Sequence, residues 1–573
     1  MATSQEATSQ QSSNHGNARD HWLEAHGDTA AMLLVLIGFF ARLWTASGIF
    51  LNPDEALHFR LANQTSWWHA YQQSLTAAHP PLLILLLYFW RALGTSELWL
   101  RIPSVIAGTV FCWVFFKWVS SVAGKLAGLL SLILVALLPP VILLSAEIRQ
   151  YALLLVFLMG ALYLMERAFA ENSGGLMCAA TICLYLGMLT HYSGFLFAGA
   201  LGVYALLRIF VPAPRPHAWV IAVWAAGQIG ALALVAFLYK THLSKLGAGQ
   251  SRTVMQGWMS EYYLHNSYFE RGRDNPFLFV AGHSFGVFQF IFGQFAIGDL
   301  AGLLFLVALA MLLWGKLHSV ELRTPRRLGI FFVMCFVMLA GASLAHVYPY
   351  GGTRQVALLV IPAAMGVGLG LAWATRWRWT RATVIAMVAV VLCIAFGKPR
   401  PPAMNRGDQS TKNVAAALEF MRENAAGQPI FVDYQTDLML GHYLCGEKPI
   451  PFSDAPDRFE EFSCGGHRVI CADYKTAWMF SADNFVYEWQ QLLQSYGLKP
   501  GETVWIFQSG WGINLPVWLQ ESYAEFRGLP YQQFGRNIKI FKLTVGQPMP
   551  PANVPTPTGF TSPAVSGKDS RIP

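Results

Sequence analysis

Charged residues are scarce in this chain. They make up 13% of its 573 residues, whereas hydrophobic residues make up 54%. A soluble globular domain is about one quarter charged, so this shortage excludes an ordinary soluble domain and indicates a protein that crosses a membrane several times. The net charge of +8 lies in short basic loops between apolar runs, where it reports topology. We therefore expect no nucleic-acid partner.

The chain also shows no cleavable signal peptide before its first apolar run and no repeat between its two halves. Residues 1–27 are rich in Ser, Gln and Asn, which predicts a disordered cytoplasmic segment, and we expect the first span to act as its own insertion signal. Secondary transporters often contain internal repeats. The lack of a repeat therefore disfavours a transporter or flippase for an anionic or lipid-linked substrate, which is kept as the alternative function. A non-catalytic lipid-binding scaffold is a third possibility.

Apolar runs long enough to cross a bilayer as helices recur between residues 28 and 397, the region predicted to form the transmembrane domain. We place the basic loops in the cytoplasm, as the positive-inside rule suggests. About eleven spans are then predicted, at 30–49, 99–119, 126–145, 150–167, 175–190, 193–210, 218–239, 298–315, 329–346, 355–375 and 382–397.

Two shorter apolar segments, 80–94 and 277–296, do not fit this scheme as crossings. Counting the first as a span would place the basic turn near Lys117 and Lys125 on the outside, against the positive-inside rule. Both segments are therefore predicted to be interfacial or re-entrant helices on the outer face, flanking one chamber.

Ionisable residues gather in two predicted outer loops. The first loop contains Asp54, Glu55 and, further on, His79, and the second loop contains Glu147 and Arg149. Such residues at a membrane boundary are candidates for function. The alternative for the acidic pair is a solvated loop in which an Asp caps a helix. The second pair is two residues apart, a spacing that points the side chains to different faces, so each is expected to find another partner.

Two later outer segments add further candidates. His191 and Tyr192 lie between two spans, where a neutral histidine satisfied by the backbone is the alternative interpretation. Tyr348 and Arg354 flank a Gly-Gly turn before the next span. A planar guanidinium binds two phosphate oxygens at once, although an arginine at a helix end can also simply reach towards water.

The motifs occur in a recognisable order. They are Asp54-Glu55, His79 to Leu82 (HPPL), Ser96 to Ser104 (SELWLRIPS), Ser145 to Leu154 (SAEIRQYALL) and Thr190 to Gly194 (THYSG). Together they resemble the GT-C membrane glycosyltransferases, especially the bacterial family 39 and RgtA/B/C/D-like proteins, which are related to protein O-mannosyltransferases and to the lipid A aminoarabinose transferase. The resemblance is firm over residues 30–210 and extends loosely to about residue 400.

The resemblance implies an α-helical polytopic fold with outer juxtamembrane helices over a lipid-facing cleft. It also implies transfer of a sugar from a polyprenyl-phosphate donor to a hydroxyl of a lipid, polysaccharide or protein. A single displacement in such a transfer would invert the anomeric carbon. The predicted location is the bacterial inner (plasma) membrane, with membrane lipids as further partners. Asp54 corresponds to the catalytic carboxylate and Glu147 to the second acidic residue, and a divalent metal ion between these two is left open.

The chemistry of such a transfer suggests roles for the other candidates. A base must take the proton of the acceptor hydroxyl, and positive charge must stabilise the departing phosphate. The predicted catalytic residues are Asp54, Glu55 and Glu147. The predicted phosphate-binding residues are Arg149, Arg354, His79 and Arg101. The predicted substrate-binding residues are His191, Tyr192, Tyr151 and Tyr348. His79 stands where the aminoarabinose-transferase branch has a lysine, so a permanent cation is replaced by a group that titrates near neutrality.

Beyond residue 397 the composition becomes polar. Residues 398–545 are predicted to form a periplasmic or extracellular α/β domain that selects the acceptor. The predicted helices are 410–425, 481–496 and 515–526, and the predicted strands are 430–434, 503–508 and 537–543. Residues 546–573 are Pro-rich and predicted to be disordered.

Three of the eight cysteines lie in this domain, where a disulfide is permitted. We predict that Cys445 pairs with Cys464. Three tryptophans, Trp505, Trp511 and Trp518, are expected to fill the core rather than to stack on sugars.

Overall fold

The computed structural model describes residues 2–75, 77–211, 215–246, 264, 266–317, 322, 324–375, 409–450, 459–473, 477–510 and 514–546. The predicted span at 382–397, residues 547–573 and Trp511 lie outside these ranges. The chain folds into a helical membrane part and a smaller α/β domain that begins after residue 408.

The membrane part consists of helices of very different length. They are α1 (Ala2–Ala46), α2 (Pro53–Ala62), α3 (Trp67–Ser74), α4 (Leu82–Trp90), α5 (Glu97–Leu137), α6 (Pro139–Leu143), α7 (Tyr151–Glu171), α8 (Gly174–Thr190), α9 (Ser193–Phe210), α10 (Ala218–Leu238), α11 (Ser244–Leu246), α12 (Pro276–Phe292), α13 (Phe295–Trp314), α14 (Pro325–Leu344) and α15 (Val360–Ala374). A π-helix (Tyr239–Leu243) extends α10, and 3-10 turns occur at Arg91–Leu93 and Arg354–Leu359.

Eight of the described helices are long and apolar enough to cross a membrane, when α10 and α15 are counted with their extensions. The predicted span at 175–190 forms α8, which is apolar but only 17 residues long. Helix α1 starts at Ala2, so its first part contains residues that we expected to be disordered; Ala, Gln and Glu in this segment favour a helix.

Helix α5 turns back on itself at Gly124, whose φ of +81° is a conformation that glycine adopts without strain. The segments of α5 before and after Gly124 form its two arms. The buried Arg42 of α1 donates hydrogen bonds to Cys112 Sγ (3.4 Å) in the first arm and to Val135 O (2.8 Å) in the second, so these two residues lie close together. The arms match the separate spans predicted at 99–119 and 126–145. The second arm ends at Leu137 because Pro139 cannot continue the helix.

The two segments predicted to be interfacial form short helices. Residues 80–94 form α4, which has nine residues and a following 3-10 turn, too few to cross a bilayer. Residues 277–296 form α12, which has 17 residues and ends at Gly293, where φ is +72°. Helices α2, α3 and α4, which follow the end of α1 in the chain, contact one another.

The C-terminal domain is a six-stranded mixed sheet with helices on both faces. Its elements are α16 (Thr411–Asn424), β1 (Pro429–Val432), α17 (Tyr434–Cys445), β2 (Glu460–Cys464), β3 (His467–Cys471), α18 (Ala482–Tyr496), β4 (Thr503–Gln508), α19 (Leu515–Ser522), β5 (Tyr531–Phe534) and β6 (Ile538–Thr544). The strand order is β2-β3-β1-β4-β6-β5, and β1 runs parallel to β3 and β4. The predicted α/β class is confirmed, although α17, β2, β3 and β5 were not predicted.

The predicted disulfide is confirmed: Cys445, at the end of α17, is bonded to Cys464 in β2. Trp505 is 6% exposed and belongs to the core, as expected, whereas Trp518 is 36% exposed.

One hydrophobic core belongs to both parts of the chain. Phe59 of α2 and Leu87 of α4 are buried with Met421 of α16, Leu438 of α17 and Ile540 of β6. The other face of the sheet packs against α18 and α19 in a separate core. The C-terminal domain is thus joined through an apolar interface to the short helices that carry the acidic pair.

Candidate active site

The acidic pair opens helix α2 within the first loop (residues 47–96). Asn52 caps the helix: its side chain accepts from Glu55 N (3.0 Å), and Glu55 Oε2 accepts from Asn52 N (3.1 Å). This capping box, with Pro53 in the first helical position, fixes where the helix starts. Asp54 therefore lies within the first turn, and the alternative in which an aspartate is the cap is wrong.

Asp54 binds two arginines from distant parts of the chain. Its Oδ2 lies 2.5 Å from Arg354 Nη2 and 2.9 Å from Arg149 Nη1, and its side chain is 16% exposed. Burial by itself would raise the pKa of Asp54, but the charges of Arg149 and Arg354 lower it below its usual value. The site thus contains one ionised carboxylate between two guanidinium groups.

Glu55, by contrast, is clamped inside the protein. Arg101 Nε and Nη2 each donate to one of its carboxylate oxygens at 2.7 Å, and Ile148 N also donates to Oε1 at 2.9 Å. Arg101 additionally donates to the backbone carbonyls of Ala46, Ile49 and Phe50. All three guanidinium nitrogens and both carboxylate oxygens are engaged. This geometry suits a pair that holds the loops together, and the catalytic role of Glu55 and the phosphate-binding role of Arg101 stay predictions.

Glu147 lies in the second loop (residues 144–150) and lines a cleft with Asn52 and Pro53. Among the described residues, no side chain forms a hydrogen bond or ion pair with its carboxylate. Burial, and after it the charge of Glu55, raises the pKa of Glu147 to about 6. This carboxyl group therefore changes its charge near neutral pH.

Three histidines form a column beside the arginines. The rings of His58 and His79 are stacked with centroids 5.9 Å apart, and those of His79 and His191 are 5.4 Å apart. His58 Nδ1 contacts the backbone oxygen of Asp54 at 2.6 Å. His58 was not among the predicted site residues; its spacing of four residues from Asp54 on a helix is the signal that identifies it.

These histidines are neutral at physiological pH. Burial, followed by the charge of Arg149, lowers the pKa of His58 to about 4 and that of His191 to about 3. Burial and the neighbouring His191 hold the pKa of His79 well below its usual value. His79 thus offers a neutral imidazole at the position where a phosphate-binding cation was considered.

The predicted aromatic residues do not all meet. Tyr151 and Tyr348 contact His191, with ring centroids 5.4 and 6.2 Å away. Tyr192 instead packs against Phe195, 5.9 Å away. Two of the three predicted tyrosines therefore belong to the same cluster as the histidines.

The divalent ion left open by the sequence would have to share Asp54 with two arginines. Across the part of the chain that the structure describes, no three or more His, Cys, Asp or Glu side chains converge as metal ligands would. Asp54 Oδ2 already faces two positive groups, which repel a cation.

Comparisons with known proteins agree with the resemblance seen in the sequence. The family model for dolichyl-phosphate-mannose-protein mannosyltransferases matches residues 78–239. The apo structure of ArnT from Cupriavidus metallidurans is similar with a TM-score of 0.50 and 12% identity, and the match covers 89% of this chain and 97% of that one. No curated protein sequence matches the chain significantly.

Two further solved structures are similar at lower scores. ArnT from the same organism bound to undecaprenyl phosphate has a TM-score of 0.46 and 14% identity, covering 91% of this chain and 99% of that one. The Archaeoglobus fulgidus oligosaccharyltransferase has a TM-score of 0.47 and 12% identity, covering 86% and 70%. The predicted GT-C fold is confirmed, and the glycosyltransferase class is supported by the family match.

Proposed function

We propose that this chain, which has the fold of the GT-C membrane glycosyltransferases, moves a sugar from a polyprenyl-phosphate donor to a hydroxyl group at the outer face of a bacterial inner membrane. The observation that carries this proposal is the convergence of Arg149 and Arg354 on Asp54. This convergence supports the proposal because two guanidinium groups, which suit a phosphate, lie beside a carboxylate that could act as a base.

The two guanidinium groups suit the leaving group of such a reaction. A sugar linked to polyprenyl phosphate is a phosphodiester with one negative charge, and the released polyprenyl phosphate carries nearly two at neutral pH. Fixed positive charge therefore stabilises the transition state more than the bound donor, which is the condition for raising the rate. Arg149 is 5% exposed, so little water screens its charge.

Asp54 is proposed to act as the base after the donor binds. Before binding, both arginines lie on its Oδ2, and Oδ1 accepts no hydrogen bond from the described residues. A donor phosphate shares the arginine charge, so the Asp54 carboxylate loses stabilisation and its proton affinity increases. It then takes the proton of the acceptor hydroxyl while the acceptor oxygen bonds to the anomeric carbon and the bond to the phosphate oxygen breaks. One displacement of this kind inverts the anomeric centre.

Glu147 is a second candidate for the base, because its pKa of about 6 is closer to the working pH than that of Asp54, and general bases are most effective there. The proposed role of Glu147 is to accept a hydrogen bond from the acceptor hydroxyl. His79 is proposed to hydrogen-bond the donor phosphate as a neutral group, and His191, Tyr151 and Tyr348 are proposed to contact the sugar. Tyr192 stays a predicted substrate contact that packs outside this cluster.

The alternative function, a transporter or flippase for a lipid-linked substrate, is less well supported. Transporters place their ionisable residues near the middle of the membrane, whereas Asp54, Arg149 and Arg354 lie in the segments that precede helices α2, α7 and α15 or in their first turns. The acceptor is proposed to be a lipid, polysaccharide or protein, reached from the periplasmic side, where we also place the C-terminal domain.

The test is the release of free polyprenyl phosphate from a panel of undecaprenyl-phosphate sugars by the purified full chain in nanodiscs. The variants are Asp54→Asn and Arg354→Gln, and the matched control is Arg422→Gln, which removes an arginine whose side chain is 70% exposed in the C-terminal domain. The proposal expects release by the wild type and the control only. Wild-type rates in both site variants, or movement of the intact donor across the membrane without release, would favour the transporter.

A further inference from the structure

Helix α2 carries Asp54 at one end and a buried arginine at the other. Arg60 is 5% exposed and forms an ion pair through Nη1 with Asp437 of α17, which is completely buried. Arg60 Nη2 also lies 3.6 Å from Glu460 Oε2 in β2. The helix that presents the proposed base is therefore anchored to the C-terminal domain by charges within a largely apolar interface.

A buried ion pair of this kind is weak support for stability, because the cost of removing both charges from water offsets most of their attraction. Its geometric requirement is strict, however, since a guanidinium and a carboxylate must meet in a defined orientation. The ion pair between Arg60 and Asp437 is therefore well suited to fix the orientation of α2 relative to α17.

The segment before Asp54 is tied to the same domain. Leu51 N donates to Tyr443 Oη of α17 (2.9 Å), Phe50 N donates to Gln409 O (2.9 Å), and Thr411 N donates to Gly48 O (3.2 Å). Because Tyr443 and Asp437 both belong to α17, this one helix holds the chain on both sides of Asp54.

Two further contacts join the C-terminal end of α2 to the C-terminal domain. The ring of Phe59 meets the ring of His442 edge to face at 4.9 Å, and Asn63 Nδ2 donates to Lys448 O at 3.4 Å. Contacts thus continue along α2 to the residue after its last turn.

The arginines of the site cannot replace this support during the reaction. Under the proposed function, Arg149 and Arg354 also bind the donor phosphate, so their ion pairs with Asp54 weaken when its position matters most. Glu55 remains clamped by Arg101, which fixes the start of α2, but its far end needs a second anchor to define the direction of the helix.

We propose that α17 of the C-terminal domain supports α2 and fixes its orientation, a role that we call the splint. Arg60, through Asp437, is then a positioning residue that sets the place of Asp54 in the active site. The C-terminal domain is then a working part of the catalytic unit and not only a selector of acceptors. The effect of Arg60 on catalysis rests on the proposed function, whereas the support of α2 by α17 does not.

The experiment uses the full chain in nanodiscs and the double variant Arg60→Met/Asp437→Leu. Removing Arg60 together with Asp437 avoids leaving that completely buried carboxylate unpaired, whereas Glu460, the second partner of Arg60, is 19% exposed and keeps contact with water. The matched control is Arg468→Gln/Glu461→Gln, which removes an ion pair of the same domain whose side chains are 44% and 35% exposed. Hydrogen–deuterium exchange of the peptide covering residues 53–62 and the kcat and KM for donor turnover are measured for each protein.

We expect exchange of this peptide to become about tenfold faster in the double variant and kcat to fall by about 10- to 100-fold, because a displacement of about 1 Å at a reacting group has an effect of that size. KM for the donor and all values of the control should change less than about twofold. Arg60→Lys, which keeps the charge but not the fork, should lie between wild type and the double variant.

Wild-type exchange in the double variant overturns the splint, and faster exchange with unchanged kcat overturns the positioning role. The exchange measurement needs no substrate, so an inactive wild type contradicts the proposed function without removing the test of the splint. If the double variant does not fold, Arg60→Lys alone decides by the same two measurements, and wild-type exchange and kcat in that variant overturn the proposal.

Discussion

Asp54 and Arg354 are 300 positions apart in the chain, yet Arg354 Nη2 lies 2.5 Å from Asp54 Oδ2. Arg149, from a third segment, shares the same oxygen. The carboxylate occupies the position at which a donor phosphate would need to meet these two arginines. Under the proposed function, the two arginines must exchange Asp54 for the donor phosphate, and this exchange makes several outcomes measurable.

Replacing Arg354 should impair turnover more than donor binding. Arg354→Gln removes charge that is needed most when the phosphate departs, so kcat/KM should fall by about 10²- to 10³-fold, and Arg354→Lys should recover only part of it because an ammonium lacks the planar fork. Steady-state kinetics of polyprenyl-phosphate release give kcat and KM for both variants. Equal, small losses in the two variants would show that Arg354 does not contact the phosphate.

The two candidate bases can be separated by amide variants. Asp54→Asn should lower kcat by about 10²- to 10⁴-fold, the usual contribution of a general base, while Glu147→Gln should cost about tenfold or less at pH 8. Single-turnover measurements with saturating donor report the chemical step directly. The opposite order of effects would make Glu147 the base and leave Asp54 as the residue that orients the arginines.

The pH dependence should reveal Glu147. Its pKa is raised to about 6 by burial and by Glu55, so the carboxyl is protonated below pH 6 and ionised above it. Only the ionised form can accept a hydrogen bond at both oxygens, so kcat/KM of the wild type should rise as the pH increases through about 6. This limb should be absent in Glu147→Gln, measured between pH 5 and 8.

Histidine should not contribute to that profile. Burial lowers the pKa of His58 to about 4 and that of His191 to about 3, so both are neutral throughout the range from pH 5 to 8. A profile of His58→Gln should therefore keep the limb near pH 6. Loss of the limb in that variant would assign it to the histidine column instead.

The clamp between Glu55 and Arg101 should dominate the stability of the loop region. Arg101→Met leaves a buried carboxylate without its partner and should lower the free energy of unfolding by about 3–5 kcal/mol. An exposed pair provides the control: Arg422→Gln, next to Glu419, should leave the free energy of unfolding nearly unchanged, because water screens both charges. Thermal unfolding of the purified protein in the same detergent compares the two. Similar melting temperatures for Arg101→Met and Arg422→Gln would contradict the clamp.

Some features of this protein follow from local sequence alone. The apolar runs predicted helices because their length and composition match the bilayer, and Gly124 and Pro139 end or turn helices through their own backbone chemistry. The acidic pair was found because ionisable residues are rare near apolar spans. Alternating elements predicted the α/β domain, but its short strands β2, β3 and β5 depend on pairing partners and were missed.

Tertiary structure decided what each charged residue does. Asp54 and Glu55 are neighbours with similar side chains, yet one faces two arginines in a partly open site and the other is locked to Arg101 in the interior. No sequence pattern distinguishes them, because the difference comes from which distant segments meet each side chain. The same holds for Arg60, whose partner Asp437 lies 377 positions away. Composition and local pattern determined the class and membrane character of the protein, and long-range packing determined the active site, because contacts between distant segments leave no local signal.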